Sequence, residues 1–263
     1  MSAPEGGRLP VATRAWTIRP PRKVDLKKPR GKPRRPRRWS GKRRANPRHA
    51  HALVIDTETT VDSAQGLLFG VFQYVQFDWE SELTVTTVAE GLIYADDLGS
   101  RDPEGLALLR NYAASHRADV DMTYLRVEPR WELGLCSRTE FTDGWLRPVG
   151  YKRSRWQEPA LVVMFNAPFD WSRLATGATK AVLDMEGGFS FIVWADEDGR
   201  AAAWRPRVAI KTIDSKRALK KFRHIDSEQE SDKFAGHLLD LRTLTFALSG
   251  VSHSLDSAAR SYE

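Results

Sequence analysis

The chain has 263 residues, a formal net charge of +7 and a single cysteine, Cys136. That length holds one sizeable domain plus a tail, and one cysteine excludes an internal disulfide and a cysteine-rich zinc site; a reducing cytoplasmic setting without a disulfide-linked partner is expected. No apolar run approaches the ~20 residues that cross a bilayer, and the amino terminus lacks the apolar core of a signal peptide, so no membrane partner is expected.

Charge divides the chain at about residue 50. Residues 1–49 carry 17 Lys/Arg against 2 acids, and the remainder carries 24 against 32. The stretch 27–48 is rich in Pro, Arg and Lys around Trp39, a composition that cannot bury enough apolar surface to fold. A disordered basic tail, 1–49, is therefore expected ahead of a folded domain, 50–263. Such a tail can neutralise phosphates while Trp16 and Trp39 stack on bases. A merely solvated leader, or a start codon placed too early in an arginine-rich frame, explains the same composition.

The first strand follows. Leu53, Val54 and Ile55 run apolar into Asp56-Thr57-Glu58, and strand alternation puts Asp56 and Glu58 on one face. Two carboxylates at the end of a core strand are costly to ionise together without a cation between them, and hard divalent ions with oxygen ligands are the usual remedy. Asp-x-Glu alone is a pattern expected about once by chance in a chain this long.

Residues 67–79 alternate well enough for a second strand, with Phe69, Val71, Gln73, Val75 and Phe77 on one face. Residues 83–94 supply a third, with Gly91 as its bulge. Asp102-Pro103-Glu104 opens a helix with Leu106, Leu109, Ala113 and His116 on one side; Asp96 and Asp97 form the solvated turn before it. Ser137 and Glu140 make a capping box ahead of Phe141 and Trp145, both expected in the core.

Residues 161–165 form another apolar run, ending in Asn166-Ala167-Pro168-Phe169-Asp170. Asn166 fits a helix N-cap and Pro168 a first turn, which sets Asn166 and Asp170 on one face. Taken alone, the pair serves equally as a cap and a complement to the helix dipole. Segments 189–194 and 204–213 flank Asp196-Glu197-Asp198-Gly199 as a hairpin. Lys211, Lys216, Arg217, Lys220, Lys221 and Arg223 form a basic cluster, commonly a solvated helix face and otherwise a means of steering phosphates. Residues 224–235 read as a polar loop. His237 to Leu244 reads as a strand ending in Asp240 and leading into a helix, and Ser254-Leu255-Asp256 as the start of another.

In order and context the motifs resemble those of the DEDD superfamily of 3′–5′ exonucleases over roughly residues 50–262. Asp56-Thr57-Glu58 is similar to the first motif, Exo I, and Asn166 to Asp170 to the second, Exo II. The long interval between them resembles the exonuclease domain of family B, protein-primed-type DNA polymerases. The resemblance implies an α/β, ribonuclease-H-like mixed sheet flanked by helices, with an antiparallel meander first and parallel strands after it. It also implies phosphodiester hydrolysis at single-stranded DNA 3′ ends by two Mg²⁺ or Mn²⁺ ions. Asp56, Glu58 and Asp170 would be the catalytic metal ligands, and Asn166 and Phe169 would contact the strand. The family's third motif, His-x-x-x-x-Asp or Tyr-x-x-x-Asp on a last helix, is absent. The reading is then a domain incomplete at its carboxyl terminus, a weak or inactive nuclease by itself. The alternative is a non-catalytic nucleic-acid binder acting through its basic tail.

Overall fold

The apolar run around Leu53 becomes the middle of β1 (His51–Thr59), which is flanked on both sides by other strands. The computed structural model describes residues 50–62, 64–78, 84–117, 133–151, 160–196, 198–202, 205–214, 217–222, 225–226, 231–232 and 237–262. The basic segment 1–49 lies outside them. β1 pairs antiparallel with β2 (Leu67–Asp78), and β2 with β3 (Thr84–Tyr94). This is the expected three-strand meander. β4 (Gly134–Ser137), which the sequence reading does not anticipate, adds parallel to β3 at the sheet edge.

On its other side β1 pairs in parallel with β5 (Leu161–Met164), and β5 pairs in parallel with β12 (His237–Asp240). The six-stranded order is β12-β5-β1-β2-β3-β4. β5 is buried between two neighbours and is apolar at every position, as a central parallel strand must be. The chain is thus α/β with a mixed sheet. No helix among the described residues is long and apolar enough to cross a membrane.

A second sheet, absent from the sequence reading apart from its hairpin, lies over one face of the first. It contains β6 (Gly177–Lys180), β7 (Phe189–Ile192), β8 (Val208–Asp214) and β9 (Arg217–Phe222), antiparallel in that order. The Asp196 carboxylate accepts the backbone N–H groups of Asp198 and Arg200 beyond β7, so the acidic tip is turn chemistry, as expected. Leu53, Ile55, Phe72, Val162 and Met164 from the first sheet meet Val193, just past β7, and Val208 and Ile210 of β8 in one core. Burial of each such side chain contributes about 1.5–3 kcal/mol before chain entropy is set against it.

Several local expectations change. Of the face read as Phe69 to Phe77, Val71 and Gln73 are exposed while Val75 is buried with Phe77 packed beside it, and Gly70 and Phe72 are also buried. The β2–β3 register shift falls at Tyr74/Val75 and not at Gly91. Gly91 faces the Phe72 ring, where a Cβ would sit 2.4 Å from a ring carbon, so a close approach explains that glycine. Residues 217–222 are the strand β9 and not a helix face, and residues 224–235 contain a two-stranded pairing of β10 (Ile225–Asp226) with β11 (Ser231–Asp232).

The helices form where the capping signals stand. A short α1 (Leu98–Arg101) precedes α2 (Pro103–Ser115), whose N-cap Asp102 accepts the Gly105 N–H. α3 (Arg138–Phe141) carries the Ser137–Glu140 capping box and passes into a π-helix over Thr142–Tyr151, with Phe141 fully buried and Trp145 packed on the core. Asp96 is not a free turn residue: its carboxylate binds the buried Arg138, which also donates to the carbonyls of Leu174 and Val193. α4 (Ala167–Leu174), α5 (Leu241–Ser249) and α6 (Leu255–Tyr262) complete the described α-helices. Cys136 is unpaired, and burial, with Glu140 nearby, pushes its thiol up to about 12, so it stays protonated.

Candidate active site

The carboxyl ends of β1, β5 and β12 lie side by side. Ile55 is level with Met164, and Met164 with Asp240, so Asp56, the start of α4 and Asp240 come together at one end of three adjacent parallel strands. In open α/β sheets this end is where ligands bind.

α4 leaves β5 through Phe165 and Asn166. Pro168 lies in its first turn, where a missing N–H costs nothing. Ala167, Trp171 and Leu174 bury a stripe at i, i+4 and i+7 against the core, which fixes the helix rotation. That rotation also buries Asp170, which is 1% exposed. Asn166 takes the N-cap position, and its carbonyl accepts the N–H groups of Phe169 and Asp170 at 2.8 and 3.1 Å. Its side chain makes no capping bond, contrary to the capping role read from sequence.

Asp170 is the electrostatic centre. Its Oδ1 accepts the Thr57 hydroxyl at 2.7 Å, while Oδ2 is buried with no hydrogen-bond partner among the described residues. Burial pushes this carboxyl up to about 7; the Thr57 bond and the Asn166 backbone oppose the shift, and the charges of Asp56 and Asp240 add to it. Asp56 is half-buried, and burial raises its carboxyl above the usual range against a pull from the Thr57 backbone N–H. A buried, partnerless carboxylate oxygen beside other acids is a position that a cation would relieve.

Glu58 is exposed, on the same strand face as Asp56 by alternation. Phe169 is half-buried, outside the core clusters, with the Arg173 guanidinium 5.0 Å from its ring centre. Of the expected ligands, Asp56 lies near enough for its charge to act on the Asp170 carboxyl, and Glu58 is exposed. Among the described residues no three His, Cys, Asp or Glu side chains converge as a ready metal cage.

Two charged residues that the sequence reading names outside the expected ligand set, Asp240 and Lys220, pair here. Asp240 caps α5 through the Thr243 N–H, and its Oδ2 accepts the Lys220 ammonium at 2.6 Å. Both side chains are nearly buried, at 10% and 12% exposure. An acid ending an apolar strand marks Asp240, by the logic that marks Asp56. Nothing local marks Lys220, because only the packing of the second sheet brings it there. Beside this cluster, a cleft of about 460 Å³ runs between the end of β5 and the α5–α6 corner, lined in part by Phe165, Asn166, Arg242, His253 and Ser254.

Comparison with protein family models, with curated proteins and with solved structures gives no match.

Proposed function

We propose that the chain carries a divalent-cation site for hydrolysis of phosphodiesters at single-stranded 3′ ends, in a domain of ribonuclease-H-like type. The observation that carries this reading is the buried Asp170 Oδ2, left without a hydrogen-bond partner among the described residues, with the charges of Asp56 and Asp240 near enough to raise its carboxyl. The strand order supports it: an antiparallel meander followed by parallel strands is the arrangement the DEDD resemblance implies.

Mg²⁺ or Mn²⁺ bound there would supply Lewis-acid stabilisation and a water of lowered pKa. Asp170, fixed by Thr57, and Asp56 would hold one ion. Glu58, free in solvent on the same strand face, would reach a second only together with substrate. Asn166, with its amide unbonded, would orient the strand, and Phe169 would offer a ring beside it. The chemistry asked of the protein is therefore placement and charge, with no covalent step on a side chain.

Mn²⁺ binding followed by electron paramagnetic resonance tests the site apart from catalysis. Asp56→Asn and Asp170→Asn are each expected to weaken binding by roughly a hundredfold or more. Release of 3′ nucleotides from a labelled oligonucleotide should fall with it and stop in EDTA. Unchanged Mn²⁺ affinity in both variants, or EDTA-insensitive release, overturns the reading.

A second reading is favoured by the segregation of 17 Lys/Arg into residues 1–49 against a net acidic remainder. On it, the chain binds nucleic acid through that segment without cleaving it. Deleting 1–49 is then expected to flatten the salt dependence of single-strand binding. Equal slopes with and without the segment would dismiss a role for it.

A further inference from the structure

We infer that the cleft between the end of β5 and the α5–α6 corner is a phosphate subsite for a single strand, with Arg242 as its anchoring cation. This rests on the phosphodiester reading above and adds a contact that none of its motifs assigns. Arg242 is half-buried, and its guanidinium has no hydrogen-bonding or ionic partner among the described residues. Other cations around the same core are matched: Arg138 with Asp96, Lys220 with Asp240, Lys221 with Asp184. Taking a charge partly out of water without an opposite charge is unfavourable unless a ligand supplies one. Arg242 also lies in the first turn of α5, where a positive charge opposes the helix dipole. Neither local helix chemistry nor an ion pair accounts for it.

The backbone makes the position rigid. The Arg242 N–H donates to the Phe165 carbonyl at 2.8 Å, which ties the arginine to the strand end that leads into Asn166 and α4. The cleft therefore joins the Asp170 helix at its first residue. Asn166 also lines the cleft, and its side chain makes no capping bond, so its amide is available as a second donor there. His253 does not add a third: its ring nitrogens lie 3.1 Å from the Ser249 hydroxyl and 3.4 Å from that of Ser257, and it shapes the wall. Among the described residues no carboxylate lines the cleft.

A planar fork of donors suits a phosphate with two exposed oxygens, which a guanidinium grips bidentately and an ammonium does not. Nearby Asp56, Asp170 and Asp240 repel a polyanion, so a strand approaching them needs a cationic hold just outside the acidic cluster. Arg242 occupies that place. The ligand class is a phosphodiester of single-stranded nucleic acid.

The test is binding of a fluorescent oligothymidylate to the full chain in EDTA, over a salt series, for wild type, Arg242→Gln, Arg242→Lys and Asp170→Asn. Arg242→Gln is expected to weaken binding about tenfold or more and to lessen the log–log salt slope by about 0.7. Arg242→Lys should keep the slope and recover only part of the affinity. Asp170→Asn, which removes one of the repelling acids, should bind in EDTA at least as tightly as wild type, so loss of the metal site and loss of this subsite are read separately. Unfolding curves for each variant show whether the fold is intact; if Arg242→Gln does not fold, Arg242→Lys carries the test. Wild-type affinity and slope in Arg242→Gln overturn the proposal, as does a full return of affinity in Arg242→Lys. Inorganic phosphate serves as competitor: displacement at the same concentration as a thymidine dinucleotide would assign a free-phosphate site and overturn the nucleic-acid assignment.

Discussion

Replacing Asp170 with asparagine is expected to reduce the pH dependence of stability between about pH 4 and 7. The unfolded carboxyl titrates near 3.9, and the folded one is pushed up to about 7. Below the lower value both states hold the proton, and burial of the neutral acid has no ionic cost. As pH rises between the two values the unfolded chain releases its proton and the folded chain keeps it, so stability falls. The loss is complete above the folded value and amounts to on the order of 4 kcal/mol as an upper figure. Asparagine cannot ionise, and its oxygen still accepts the Thr57 hydroxyl. Its amide then occupies the partnerless Oδ2 position at a cost of about 1–3 kcal/mol, so the net gain at about pH 8 is smaller than the ionic term. Urea unfolding in EDTA at about pH 4.5 and 8 measures the difference. Equal pH slopes for wild type and variant would show that Asp170 is not shifted. Mn²⁺ added at the higher pH should stabilise wild type and leave the variant unmoved.

The second large effect is structural. Arg138→Met should destabilise the fold by about 3–5 kcal/mol. The side chain is 8% exposed, donates to the Leu174 and Val193 carbonyls at 3.2 and 2.9 Å, and binds Asp96 through Nε at 2.7 Å. Methionine fills the volume, strands two buried carbonyls and leaves Asp96 without its cation. Asp96→Asn should cost much less, because Asp96 is 38% exposed and Arg138 keeps its carbonyl bonds. Chemical denaturation of the two variants checks the ranking; equal losses would mean that the ion pair and not the carbonyl bonds matters. Leu174 ends α4 and Val193 follows β7, so the arginine couples the helix that bears Asp170 to the second sheet. Loosening it is expected to blunt the Asp170 pH effect as well.

What was legible in the sequence follows the range of the signal. β1, β5 and β12 are short apolar runs that end in polar residues, and local pattern alone marks both the strands and the acids at their ends. Ser137–Glu140 and Asp102 mark helix starts because a cap is a bond within three residues. β4 gives no such signal: its four residues, Gly134–Ser137, are only half-buried and owe their strand form to β3. β9 looks helical by charge spacing but is held as a strand by β8, and its Lys220 and Lys221 find acids 20 and 37 positions away along the chain. Asp170 was legible as an acid in a first turn, whereas its burial was not, because that depends on Trp171 and Leu174 packing into a core contributed by distant strands. Glu58 shows the converse: alternation gives its face but not whether anything covers it.

The position of β5 has a consequence for how the protein acquires its structure. The β1–β2–β3 meander joins neighbours along the chain and can form early from local contacts, with small loop-closure entropy. β5 must then insert between β1, about a hundred positions earlier, and β12, which is made much later. Until it does, Thr57 has no Asp170 to bond and the three acidic strand ends remain apart. The site is therefore expected to be the last part of the domain to gain protection in pulsed hydrogen exchange, with amides of Phe72 and Ile93 protected before those of Val163 and Met164. Before β5 docks, β1 presents an open edge to any other extended chain, and this is the stage at which aggregation competes with folding.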